Sequence, residues 1–258
     1  MKKALLVVSF GTSHMDTMEK TIFAFENAMR EAFPERQFYR AFTSRVIARK
    51  LKREGLLEVD SVEEAMERIL AEGYEDLLVQ PSHILHGEEN DRFCAVVEKY
   101  QGRFAKLVCG KPMLSKLADY EAVVEILQAE LPEKAENRAI VLLGHGTEHP
   151  ANATYGQLSY MLYDQGREDI LVGTVEGYPA MPQVRRRLQE MPSVKRVDLY
   201  PFLFVAGDHA KNDMAGDEPD SWKSQLISLG YEVHCHLKGF GEYPQVHALF
   251  VKHAQNAE

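Results

Sequence analysis

Three side chains stand out for what they could bind. His145 sits in Gly-His-Gly, Glu176 in Val-Glu-Gly-Tyr-Pro and His209 in Ala-Gly-Asp-His-Ala. Each follows an apolar run that reads as a buried strand: AIVLLG (139–144), DILVGTV (169–175) and RVDLYPF (196–202). In an open parallel α/β sheet, ligands gather outside the carboxyl ends of the strands, so all three fall along one sheet edge. Two imidazoles and a carboxylate suit a first-row divalent ion such as Co, Ni, Fe or Zn, and three ligands leave positions open for a substrate. Taken singly, each has a plainer reading. Gly-His-Gly after a strand is a tight turn with a structural or general-base histidine, a glutamate there is a solvated loop residue or a helix cap, and His209 is a helix-start histidine. Their shared strand-end placement is what favours metal or catalytic use.

The other histidines carry less. His149 could orient an imidazole from behind or start a helix. His83 and His86, before Gly87-Glu88-Glu89, are loop residues that could also line a site. His234 and His236 flank Cys235 on a strand surface and have no third partner in sequence.

The elements that must position these residues alternate along the whole chain. Further strands read at 4–10, 37–42, 76–81, 106–110 and 231–237, with amphipathic helical stretches at 15–32, 61–72, 88–100, 118–130, 152–166, 181–190, 220–229 and 244–256. Short apolar strands alternating with helices predict parallel sheets covered on both faces. A polar, proline-containing stretch at 131–137 is the one hinge-like segment, which predicts an N-terminal domain over 1–132 and a C-terminal domain over 133–258 that carries the metal ligands.

The two halves resemble each other. ALLVVSFGTSH (4–14) lies over AIVLLGHGTEH (139–149) without a gap, placing Phe10 over His145. FYRAFTS (38–44) lies over VGTVEGY (172–178), placing Phe42 over Glu176, and VQPSHILHGEEND (79–91) lies over LYPFLFVAGDHAK (199–211), placing Glu89 over His209. Three matches in the same order predict a duplication: two similar βαβ-type halves facing a cleft. One wall holds metal ligands, and the other is more apolar at Phe10 and Phe42, an asymmetry suited to a flat macrocycle.

Composition narrows the partners. The 258 residues carry a formal charge of −9, which argues against a nucleic-acid or anionic-membrane partner, since both need a basic face. The first apolar run is only seven residues long and ends in Gly-Thr-Ser-His, so a first strand is expected and not a signal peptide. No stretch approaches the ~18 apolar residues of a membrane span. Cys94, Cys109 and Cys235 are an odd number without a CxxC, which fits a reducing, cytoplasmic compartment. Neither SFGTS nor GHGTEH is a phosphate-binding loop, and no nucleotide is expected.

GHGTEH (144–149), VEGYP (175–179), PFLFVAGDHAKNDMAGDEPDSWK (201–223), YRAFTSR (39–45) and the opening LLVVSFGTS resemble the sirohydrochlorin cobaltochelatases of anaerobic cobalamin synthesis, the class II tetrapyrrole chelatases. The resemblance covers nearly the whole chain, and its AGDHAKNDM and DSWK stretches are the most specific part. It implies two similar Rossmann-like α/β halves with the tetrapyrrole in the cleft between them, and ATP-independent insertion of Co²⁺ into sirohydrochlorin or precorrin-2 with release of two pyrrole protons. By motif it assigns the metal to His145, Glu176 and His209, and puts Glu89 at an acidic position of the substrate site. His145 is then the favoured proton acceptor, His209 the alternative, and Glu89 a guide for the ion or a second base. The anionic ring calls for local cations, for which Arg40 and Arg45 are the candidates, with Phe10, Phe42 and His86 as further ring contacts. Arg49, Lys50 and Lys52 read equally well as a solvated helix face. Ni²⁺, Fe²⁺ and Zn²⁺ suit the same donors. The alternatives are therefore an iron or nickel chelatase on a related ring, a non-catalytic metal- or haem-binding protein, and a metal-dependent hydrolase. Homo-oligomers are common among such enzymes, and nothing in the sequence specifies one.

Overall fold

A computed structural model describes residues 1–257. It divides the chain into two units, Met1–Ser115 with Gly241–Glu258, and Lys116–Phe240.

The first unit is built on a parallel sheet of β1 (Lys3–Ser9), β2 (Gln37–Phe42), β3 (Asp76–Pro81) and β4 (Lys106–Cys109), in the order β2-β1-β3-β4. The central strands β1 and β3 are apolar almost throughout because both faces are covered: six of the seven residues of β1 and all six of β3 are buried. One face packs α4 (Val62–Ala71) and α5 (Glu88–Glu98) through Met66, Ile69, Phe93 and Val97. Ser61 and Glu64 start α4 with a reciprocal capping box. The unit also holds α1 (Met15–Met18), a π-helical turn over Glu19–Phe23 and α2 (Ala24–Ala32). The C-terminal helix α10 (Pro244–Gln255) returns to pack on α2 and β3, with the Phe25 and Phe250 rings 5.1 Å apart.

The second unit repeats the plan. β5 (Arg138–Gly144), β6 (Ile170–Thr174), β7 (Arg196–Pro201) and β8 (Glu232–Cys235) form a parallel sheet in the order β6-β5-β7-β8. Its helices are α6 (Leu117–Glu130), α7 (Ala153–Asp164), α8 (Met181–Gln189) and α9 (Trp222–Ser228). Val184, Leu188, Trp222 and Leu226 from α8 and α9 share a core with Val141, Leu143 and Val197.

All eight expected strands are present, and the matching strand orders give the sequence duplication a structural counterpart. The division of the chain differs from a split at 132/133. Helix α6 belongs to the second unit and α10 to the first, because an apolar helix goes where its buried face finds partners, whatever hinge lies nearby in sequence. One further helix, α3 (Arg45–Arg53), is legible in the sequence only as a solvated basic face; its start is capped by Ser44, whose hydroxyl accepts from Ile47 N–H. Among the described residues, no helix is long and apolar enough to cross a membrane.

Candidate metal-handling site

In the order β6-β5-β7, the chain leaves β5 to one side for β6 and returns to the other side for β7, so the carboxyl ends of β5 and β7 flank a topological switch point. His145 follows β5 at once, Glu176 follows β6, and His209 opens a π-helical turn, His209–Met214, after β7. The His145 and His209 rings meet edge to face with centroids 4.5 Å apart. His145 Nε2 lies 3.9 Å from Glu176 Oε2.

Hydrogen bonds at the far ring nitrogens settle how each imidazole is presented. His145 Nδ1 is 2.8 Å from the Gly146 carbonyl. A carbonyl only accepts, so Nδ1 donates the hydrogen of this bond, and Nε2 is the nitrogen on the Glu176 side. His209 Nδ1 is 2.6 Å from Asp213 Oδ2, which leaves Nε2 as the ring nitrogen outside that bond. Among the described residues, no three His, Cys, Asp or Glu side chains are drawn together closely enough to hold an ion as they stand. The two pair contacts both run through His145, and the Glu176 side chain is 62% exposed.

The turn that carries His145 is tightly supported. Gly146 has φ +82°, and a Cβ there would sit 2.7 Å from Gly177 N and 2.8 Å from Glu176 C. Glu176 N–H donates to the His145 carbonyl at 2.7 Å, and Gly146 N–H donates to the Tyr155 hydroxyl at 3.2 Å. Asn152 ties the two ligand loops together: its Oδ1 accepts from Thr147 N–H at 3.0 Å, and its Nδ2 donates to the Tyr178 carbonyl at 2.6 Å. The loop after β6 closes through a cis Tyr178–Pro179 peptide. Tyr155, Asn152 and Asp213 escaped the sequence reading. The one signal available was the one-turn spacing His-x-x-x-Asp at 209 and 213.

The first-unit candidates fare unevenly. Phe10 is 51% exposed at the end of β1. Arg45 opens α3 with an exposed side chain and a loose contact of 3.4 Å to Glu63. Glu89 lies in the first turn of α5, and exposed His86 meets Ser115 Oγ at 2.7 Å. Two candidates are turned away from that use. Phe42 has no exposed surface, and its ring lies directly under Gly11, so it supports the loop after β1. Arg40 is committed inward. It forms a two-pronged ion pair with Glu26, whose side chain is 2% exposed, and lies over the Phe23 ring. Burial pushes the Glu26 carboxyl up despite the pull of Arg40.

The remaining histidines have local duties. His149 Nδ1 accepts from Ala151 N–H and caps the short turn Pro150–Asn152. His83 Nδ1 faces Asn90, and burial holds its imidazole below the ordinary histidine range. His234 meets Glu232, while His236 stacks on Tyr200, so the two do not act as a pair. A surface groove of about 350 Å³ runs along α7 and α8 past Tyr160, Tyr163 and Arg186; none of the three ligand candidates lines it.

Comparison with known proteins decides the family, because residues 3–258 match the cobalt chelatase (CbiK) family. The chain belongs to that family. It is 40% identical over 257 residues to a sirohydrochlorin cobaltochelatase of Salmonella typhimurium, covering all of this chain and 97% of that one. It is 35% identical over 245 residues to the sirohydrochlorin cobaltochelatase CbiKC of Nitratidesulfovibrio vulgaris, covering 94% of this chain and 86% of that one. Among solved structures, SirB from Bacillus subtilis with Fe3+ shares the fold at a TM-score of 0.65 and 17% identity, over 99% of this chain and 95% of that one. Membership of the cobalt chelatase family gives the strand-end cluster a chemical context.

Proposed function

We propose that this protein is a sirohydrochlorin cobaltochelatase that inserts Co²⁺ into the tetrapyrrole for cobalamin biosynthesis, with His145, Glu176 and His209 receiving the ion. The observation that carries the site assignment is the meeting of His145 with both Glu176 and His209 at the carboxyl ends of β5, β6 and β7, in a chain that aligns end to end with cobaltochelatases. The cytoplasm is the compartment this reading implies.

Co²⁺ is a substrate, so its site must strip water from the ion without trapping it. Two imidazoles that can offer Nε2 to the ion, and one exposed carboxylate, meet that need. The exposed Glu176 side chain has the freedom to close on an arriving ion. Insertion balances as one Co²⁺ into the ring and two pyrrole protons out. His145 Nε2 is our candidate for the first proton, because its lone pair is released as the ion passes to the ring nitrogens. In the first unit, Phe10 and Arg45 are the candidates for the ring and a peripheral carboxylate, and Glu89 and His86 for guiding the ion or taking the second proton.

The test is direct. Purified protein, sirohydrochlorin and Co²⁺ are mixed, and metallation is followed by absorbance against a protein-free control. Acceleration that is lost in His145→Ala and His209→Ala, with both variants folded, is the expected result. No acceleration by the wild-type protein would overturn the activity, and full activity in either variant would overturn the ligand set. Competition among Co²⁺, Ni²⁺ and Fe²⁺ in the same assay settles metal preference.

A further inference from the structure

The two imidazoles of the site differ in what holds their far nitrogens. His145 leans on a neutral acceptor, the Gly146 carbonyl at 2.8 Å. His209 leans on a carboxylate, Asp213, at 2.6 Å. A carboxylate pulls harder on the Nδ1 hydrogen and shifts electron density toward Nε2. It also fixes the ring's direction, and groups in this outer position commonly change metal affinity by about 10–100-fold.

The backbone makes this contact. Residues His209–Met214 form a π-helical turn, with Ala215 N–H donating to the Ala210 carbonyl five residues back. Turns of this kind are uncommon and recur at functional sites. Here the widened turn lays the fourth residue after His209 against its ring. Asp213 is separate from the ligand set proposed above, and it bonds the nitrogen that faces away from the position an ion would take at Nε2.

We infer that Asp213 is a positioning residue that makes His209 the anchoring ligand for Co²⁺, leaving His145 as the weaker donor that releases the ion first. This rests on the metal-site reading above. Its consequence is a division of labour: Asp213 sets how tightly the ion is loaded, and the ring sets how fast it leaves.

The experiment compares wild type with Asp213→Asn, Asp213→Ala and His209→Ala, using Co²⁺ alone and then Co²⁺ with sirohydrochlorin. Asp213→Asn keeps the side chain's shape and an acceptor oxygen but removes the charge, which guards against misfolding of the alanine variant; circular dichroism checks both. The expected result is Co²⁺ affinity about 10–100-fold weaker in Asp213→Asn, with the cobalt d–d spectrum at saturation unchanged. KM for Co²⁺ rises and kcat at saturating Co²⁺ is kept. Affinity within twofold of wild type in both Asp213 variants, while His209→Ala loses binding, overturns the inference and leaves the metal site standing. A changed saturated spectrum in Asp213→Asn overturns it by making Asp213 a ligand. A lower kcat at unchanged KM overturns it as well. Unchanged Co²⁺ binding in His209→Ala sinks the metal-site reading itself, and this inference with it.

Discussion

Gly146 offers the sharpest test of how backbone geometry sets the site. Replacing it by alanine adds one methyl group, and the structure says where that methyl goes. At φ +82° the backbone is left-handed, which costs an alanine about 1–2 kcal/mol. The new Cβ would lie 2.7–2.8 Å from Gly177 N, Glu176 C and Thr174 Cβ. None of these is the far end of a flexible side chain, so the strand-end loops must part by roughly 0.7 Å or more to regain ordinary contact. Overpacking of that kind adds about 1–3 kcal/mol. The total, roughly 2–5 kcal/mol, lowers the melting midpoint by about 5–15 °C. The functional effect follows from direction: the displaced backbone is that of Glu176, so the His145–Glu176 pair opens. Displacement on that scale is expected to weaken Co²⁺ binding by roughly tenfold to a hundredfold. Thermal melting and Co²⁺ titration, each on Gly146→Ala and on wild type, measure the two effects. Gly156→Ala is the control: a Cβ there meets nothing within 4 Å, and the helix α7 should gain about 0.5–1 kcal/mol. A Gly146→Ala protein with wild-type melting and wild-type Co²⁺ affinity would refute the reasoning.

Other outcomes are equally specific. Asn152→Ala removes both bonds that tie the ligand loops together and should cost about 1–3 kcal/mol, with a higher KM for Co²⁺; an unchanged KM would mean the loops hold without it. Arg40→Met strands the buried Glu26 carboxylate and should destabilise the first unit by about 3–5 kcal/mol, most of it recovered in Glu26→Leu/Arg40→Met, as read by urea denaturation. Phe10→Ala should weaken tetrapyrrole binding more than Co²⁺ binding in parallel titrations; equal loss of both would remove Phe10 as a ring contact. Burial holds His83 and His247 below the ordinary histidine range, so the folded protein keeps them neutral while the unfolded chain titrates near pH 6.5. Stability should therefore fall as the pH drops below about 6.5, by up to about 1.4 kcal/mol per pH unit for each histidine, and show no such dependence above it. Denaturation at pH 7.5, 6.5 and 5.5, with and without His247→Gln, measures that slope.

The strands were legible because each is a short apolar run with turn residues at its ends. The ligand candidates were legible because they follow those runs directly. What escaped the sequence depends on contacts that only the fold creates. Arg40 reads as a free cation beside a presumed site until α2 swings Glu26 beneath it, and Phe42 reads as a wall until the sheet closes over it. Asp213 sits one turn from His209 in a segment whose π-helical winding has no local signature. Tyr155 and Asn152 are ordinary helix-start residues in sequence and become supports only because α7 begins against the turn that holds His145.

The return of α10 to the first unit has a bearing on how the chain is made. The first 115 residues leave the ribosome without the helix that covers α2 and β3, while the whole intervening unit is complete before that helix emerges. The earlier module is thus the later one able to finish folding, with the Phe25 ring short of its partner until Phe250 appears. That ordering exposes an apolar sheet face for most of translation, a liability of the kind chaperones meet. It also makes the twelve residues of α10 a determinant of solubility far out of proportion to their number.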